Sequence, residues 1–236
     1  MALIVYIETA TDICSVALGN ENGLLDMREC TVGPSHAAIL TVYIEELLQK
    51  NKVKVSDLHA IAVSMGPGSY TGLRIGVSVA KGLCYGANLP LLGLPTLQSM
   101  VFGCLRQHKK IQELNSGNIL LCPMLDARRL EVYTALLDLN GEFKSAISAE
   151  IINELSFKEI LSDHIVYFFG NGSDKCSTII THPNARFISG ITPSAQDLLP
   201  LSQAMFQKKE FKDVAYFEPF YLKDFVATTP KNKVLG

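Results

Sequence analysis

Read for the order of its periodic segments, the chain runs through the same eight elements twice, and few folds accommodate that. Residues 3–7, 14–18 and 24–31 are strand-length apolar or alternating runs, the last two joined by the turn Asn20-Glu21-Asn22-Gly23. Gly33-Pro34 breaks the chain, and Ser35 is placed to cap a helix running to Lys50. A strand at 60–65, a helix over 71–87, a strand at 90–93 and a helix from Pro95 to 108 complete the first set. The second set opens with strands at 118–126, 130–139 and 143–149, with Asn140-Gly141 turning between the latter two. A short helix at 156–162, a strand at 165–169 and the turn Gly170-Asn171-Gly172 follow. A helix over 174–181, a strand at 185–189 and a helix from the Ser194 cap to 209 end it. Both halves read β-β-β-α-β-α-β-α.

That order predicts an α/β protein of two lobes, the duplicated layout of actin, hexokinase and the sugar kinases. The alternative is a single doubly wound domain with additions. The lobes are expected at 1–108 and 109–218, followed by a tail at 219–236. The charged run 106–110 would then cross between them. The halves share element order and not residue identity. With 48% hydrophobic and 19% charged residues in 236, the chain has enough apolar material for large cores.

A net charge of −2 leaves no basic footprint for phosphates, so a nucleic-acid role is expected to run through a partner. Six scattered cysteines (14, 30, 84, 104, 122 and 176) form no C-x-x-C pair, the pattern of buried thiols in a reducing compartment. MALIVYIE has no basic n-region and Glu8 interrupts its apolar run, so no signal peptide is expected. No stretch is long enough to span a membrane, and the expected location is cytoplasmic.

Within the first half, the strand at 60–65 runs into Gly66-Pro67-Gly68-Ser69-Tyr70-Thr71-Gly72 and then a glycine-studded helix. A strand, a glycine turn and a helix admit either an anion or a closely packed backbone. The P-loop pattern fails, because no Lys-Ser/Thr pair follows Gly72. The dinucleotide pattern fails as well, because Thr71 stands where its last glycine belongs. Around the helix axis, Gly72, Ile75, Gly76, Val79, Gly82, Leu83 and Gly86 share one arc. Leu73, Val77, Ala80, Cys84 and Ala87 form a second, so the helix has two weakly polar faces where a surface helix needs one. In the preceding helix His36, Ile39, Leu40, Tyr43, Ile44, Leu47 and Leu48 also cover an unusually wide arc. The expectation is a helical docking surface formed by His36, Ile39, Tyr43 and Leu47 with the seven residues of the glycine arc. The competing account is that the C-terminal tail covers both faces.

Weaker signals lie elsewhere. Glu8-Thr9-Ala10-Thr11-Asp12 sits where kinases of this layout hold phosphate and metal, and a strand-end turn explains it equally well. Asp126-Ala127-Arg128-Arg129 ends the first strand of the second half and could orient an anion; a hairpin with a salt bridge also accounts for it. Glu8, Asp126, Gly170 and Gly172 are the candidates for lining a cofactor cleft. The five histidines (36, 59, 108, 164 and 182) include no i,i+4 pair and offer no local zinc clip.

These residues resemble a known family. Ile7-Glu8-Thr9-Ala10, Ser15-Val16-Ala17-Leu18, His36, GPGSYTGLRIGVSVAKGL at 66–83 and Asp126-Ala127-Arg128-Arg129-Leu130-Glu131-Val132-Tyr133 are similar to the motifs of the TsaB family, formerly grouped with glycoproteases. Beyond Tyr133 the likeness is loose, apart from Phe220-Tyr221-Leu222-Lys223. The resemblance implies a non-catalytic dimerising subunit in bacterial threonylcarbamoyladenosine synthesis on tRNA. It would pair with a metal-binding transferase paralogue, TsaD, through the two first-lobe helices, be joined by the ATPase TsaE, and reach tRNA through the complex. Homodimers through related surfaces are implied too. ATP or ADP and metal would sit on the partner subunits, with no cofactor on this one. The paralogue's H-x-x-x-H metal motif would fall at Gly93-Leu94-Pro95-Thr96-Leu97-Gln98, which holds no histidine, and Glu8 replaces the aspartate common in the family. The rival is an enzyme of the same fold, either a nucleotide-binding kinase-like protein or a metal-independent peptidase.

Overall fold

The computed structural model describes residues 2–31, 35–114 and 117–223; the expected break at Gly33-Pro34 and positions 224–236 of the tail lie outside them. Among the described residues, ten strands form two five-stranded sheets. The first comprises β1 (Ile4–Glu8), β2 (Cys14–Asn20), β3 (Gly23–Cys30), β4 (Ala60–Gly66) and β5 (Leu91–Pro95). The second comprises β6 (Ile119–Asp126), β7 (Glu131–Thr134), β8 (Ser148–Ile151), β9 (Ile165–Phe169) and β10 (Ala185–Ile188). Their orders are β3-β2-β1-β4-β5 and β8-β7-β6-β9-β10, the same sequence of positions in each lobe. In both, the first strand pairs antiparallel with the second and parallel with the fourth. The duplication read from element order is thus a duplication of topology, and the architecture is of the actin and hexokinase type.

β1 shows why its sequence reads as it does. All five residues of IVYIE are buried. Alternate side chains leave a strand on opposite faces. Val5 and Ile7 enter a core with α1 (His36–Lys50) and α2 (Tyr70–Ala87), while Ile4 and Tyr6 enter another with the turn at Ala195–Leu198 and the following helix. A strand covered on both sides can be apolar throughout.

The remaining helices are α3 (Thr96–Gln107), α4 (Lys109–Gln112), α5 (Lys158–Asp163) and α6 (Leu199–Gln207). The lobes exchange their last helices. Leu97, Met100, Val101 and Cys104 of α3 pack with Leu121, Leu125 and Phe169 of the second sheet. Residues 195–199, at the start of α6, pack on the first sheet with Tyr6, Ala62 and Leu92. Each lobe's core is therefore completed by a helix or turn from the other half of the chain.

Three expected elements in the second lobe change. The strand foreseen at 143–149 is displaced to Ser148–Ile151, leaving Phe143 in an isolated bridge to Leu137. The strand foreseen at 130–139 shortens to Glu131–Thr134. The helix foreseen at 174–181 is only a 3-10 turn at Asp174–Cys176. Its continuation, Thr178-Ile179-Ile180-Thr181, is a β-branched run before His182-Pro183, and both features disfavour helix. Ser194 does not cap by its side chain. Its hydroxyl donates to Glu29 Oε2 at 2.9 Å instead.

Candidate functional site

The sequence-predicted residues fall in two places, the cleft between the lobes and the outer face of α1 and α2. The cleft encloses about 530 Å³. One wall is formed by Ala10, Thr11 and Asp12 after β1 and by Gly68–Thr71 at the start of α2; the other by Asp126, Ala127, Arg128 and Asn171. Ser69 caps α2, its hydroxyl accepting the Gly72 N–H at 3.3 Å, and Asn88 closes the helix in the left-handed conformation.

Of the four cofactor candidates, only Asp126 lines the cleft. Gly170 and Gly172 are buried behind it. Gly170 has φ +106°, and a Cβ there would stand 2.3 Å from the Met124 carbonyl. Its glycine serves the turn and not a ligand. Glu8 is fully buried. Its Oε1 accepts the Ala10 N–H at 2.6 Å and the Ser64 hydroxyl at 2.8 Å, and Oε2 has no partner among the described residues. Burial pushes the Glu8 carboxyl up to about 7, opposed by these hydrogen bonds and assisted by Asp197. Asp197, raised to about 6 by burial against the pull of Arg106, bonds the Arg106 Nε at 2.9 Å. This pair joins α3 to the segment before α6; nothing in the spacing of residues 106 and 197 announced it. No group of three or more His, Cys, Asp or Glu among the described residues is arranged to hold a metal. Burial also pushes the Cys84, Cys104 and Cys122 thiols up to about 12, which leaves them poor nucleophiles.

The glycine face of α2 divides. A Cβ on Gly72 would lie 2.1 Å from the Thr9 carbonyl oxygen, and one on Gly76 2.2 Å from the Thr9 hydroxyl. Both glycines are buried within the subunit against the end of β1. They do not belong to a docking surface. Gly82 and Gly86 have nothing among the described residues within 4 Å of the same position and are exposed. On α1, Leu47 is also fully buried, whereas Ile39 and Tyr43 are half-buried at the core's edge, as are Ile75, Val79 and Leu83 on α2. The His36 ring nitrogen lies 2.8 Å from the Thr11 carbonyl and anchors the start of α1. Between the helices runs a groove of about 310 Å³ with Ile44, Leu48, Val79 and Leu83 in its lining.

The C-terminal segment as far as Lys223 leaves this groove uncovered. It pairs Lys212 N–H with the Leu91 carbonyl at 2.8 Å, and its Ala215 and Phe217 carbonyls accept from Lys81 Nζ at 3.1 and 2.9 Å. Phe220 N–H bonds the Met65 carbonyl at 2.7 Å, Tyr221 packs on Tyr70 with ring centroids 4.9 Å apart, and Lys223 pairs with Glu131 across the cleft. The segment therefore follows the Arg74, Ser78 and Lys81 side of α2.

Two lobes of duplicated strand order around a cleft define a protein of the actin and hexokinase fold. Comparison with known proteins narrows this. The family model for TsaD, tRNA N6-adenosine threonylcarbamoyltransferase, matches residues 31–231. The tRNA threonylcarbamoyladenosine biosynthesis protein TsaB of Escherichia coli is 30% identical over 233 residues, covering 95% of this chain and 96% of that one. Its Haemophilus influenzae counterpart is 27% identical over 233 residues, 93% of each chain. The solved structure of YeaZ from Pseudomonas aeruginosa superposes with a TM-score of 0.76 at 27% identity over 94% of this chain and all of that one. The chain belongs to the TsaB family, whose named members act in the biosynthesis of threonylcarbamoyladenosine on tRNA.

Proposed function

We propose that this chain is a non-catalytic dimerising subunit in that tRNA modification, docking a TsaD-type transferase through the outer face of α1 and α2. The observation that carries the reading is the apolar groove between Ile44, Leu48, Val79 and Leu83, which the segment through Lys223 does not cover. Beside it, Gly82 and Gly86 let another helix approach the α2 backbone, and Tyr85 is 87% exposed. Two adjacent helices with such a groove suit a second helix pair, giving a four-helix bundle. ATP or ADP and metal then belong to the TsaD-type and TsaE-type partners, tRNA meets the assembly, and a second copy of this chain competes for the same face.

Gly82→Leu combined with Gly86→Leu tests the proposal without disturbing the interior. Co-purification and size-exclusion chromatography should show loss of pairing with the transferase, while the free variant melts no lower than the parent. Pairing at parental yield would overturn the docking reading. Calorimetry of the isolated chain with ATP and magnesium separates this account from the enzyme rival, which requires binding with turnover.

A further inference from the structure

The turn between β6 and β7 is held in a conformation that its residues do not favour. Arg128 and Arg129 both have left-handed backbones, at φ 75° and 52°. Glycine adopts this region freely and arginine does not. Two glycines would relax the hairpin, yet the sequence keeps two long cations there. The salt bridge that would explain them locally is not made. Asp126 Oδ1 accepts the backbone N–H of Arg128 at 2.9 Å, and its charge is taken by Lys175. Neither guanidinium meets a hydrogen-bond or ion-pair partner among the described residues, and both residues are exposed. Arg128 lines the cleft whose other wall holds the N-terminus of α2, and Tyr70, Tyr133 and Tyr221 line the same cleft.

We propose that the Arg128–Arg129 turn is a phosphate-binding element that takes the backbone of RNA, an identity that rests on the tRNA-modification reading above. A planar guanidinium matches two phosphate oxygens at once. Two of them on consecutive exposed residues suit a polymer with successive phosphates better than one enclosed anion. The tyrosines lining the same cleft are of the residue type on which unstacked bases pack. Because the chain as a whole carries a charge of −2, the contact is a local foothold within the assembly and not a binding face of its own. Backbone strain retained at an exposed, unpaired cation pair is the mark of a functional turn.

A free nucleotide offers the same phosphate chemistry, and the experiment separates the two sources. A fluorescein-labelled anticodon stem-loop RNA is titrated by anisotropy with the full chain, alone and mixed with a TsaD-type transferase, from about 50 to 200 mM salt. The double variant R128G/R129G should lose about tenfold in RNA affinity and about one to two in the slope of log affinity against log salt. It should also melt at a higher temperature, because the strain is released. Unchanged affinity and slope would overturn the proposal. So would tight ATP or inorganic phosphate binding that R128G/R129G abolishes while RNA binding persists, which would assign the turn to a small anion. Size-exclusion of the same mixtures reports pairing separately. If the parent chain fails to pair, the scaffold reading falls, and the RNA titration of the chain alone still decides the turn.

Discussion

The two lobes set the same frame and spend it differently. Each ends its first strand in a carboxylate, Glu8 or Asp126, and has a left-handed glycine at or just after the end of its fourth, Gly66 at φ +111° or Gly170 at φ +106°. In each, the glycine turn closes against the end of the first strand or the residues just after it. A Cβ on Gly68 would lie 2.3 Å from the Ala10 carbonyl, and one on Gly172 3.0 Å from the Asp126 N–H nitrogen. After that turn the lobes part. The first builds the 18-residue α2, and the second only a three-residue 3-10 turn. The first buries its carboxylate; the second leaves it at the rim beside two arginines. What is common to both lobes is therefore architectural, and what belongs to one is where function is sought: the helix face in the first lobe, the arginine turn in the second.

The strongest way to break this comparison is to fill the shared glycines. Gly66→Ala and Gly170→Ala, the matching pair, each set a disfavoured φ against a backbone oxygen, as Gly72→Ala sets a methyl against the Thr9 carbonyl without the φ. Each should cost about 3 kcal/mol or more in denaturant unfolding. A loss below about 1 kcal/mol at either of the matching pair would mean that the turn is not tightly closed there and that the two lobes are not equivalent.

Next in size is the pair of carboxylates. Glu8 titrates near 7 in the folded chain against an ordinary value of 4.5. The fold favours its protonated form, so its contribution is fully present below pH 4.5 and is lost as pH rises through 7. The shift corresponds to about 3 kcal/mol. Glu8→Gln stays neutral throughout, keeps an acceptor for Ala10 and Ser64, and should be more stable than the parent by about 3 kcal/mol at pH 8 but by little at pH 4.5. Asp126→Asn breaks only a partly exposed ion pair with Lys175 and should cost about 0.5 kcal/mol. Superimposable stability–pH curves for Glu8→Gln and the parent would refute the distinction between the lobes.

Much of the frame was legible because periodicity is local. The runs around β1, β2, β4, α1 and α2 each announce their burial within a dozen residues, and the predicted helices at 36–50 and 71–87 end within a residue of α1 and α2. What could not be read depends on contacts distant in the chain. A helical wheel places Gly72, Gly76, Gly82 and Gly86 on one arc, but only the fold brings Thr9 beneath the first two. The same distance hides the Arg106–Asp197 pair and the exchange of α3 and α6 between lobes. In the second lobe the failures were local, where β-branched residues 178–181 carried no helical commitment. The strained backbone of Arg128 and Arg129 had no sequence signal, because left-handed turns are read from glycine and asparagine and neither is present.

The smallest predicted effect isolates the division within α2. Gly82→Ala and Gly86→Ala are the same chemical change as Gly72→Ala, on the same helix and the same arc, and should have the opposite sign. Alanine is the better helix former by about 1 kcal/mol, the added methyls meet nothing within 4 Å, and restricting the unfolded chain favours folding further. Each should stabilise the free subunit by about 0.5–1 kcal/mol in denaturant unfolding. Nothing among the described residues then calls for glycine at these two positions, which is what the docking proposal requires. If either alanine destabilises the isolated chain, some part of that chain covers the outer end of α2, and the docking face is not open.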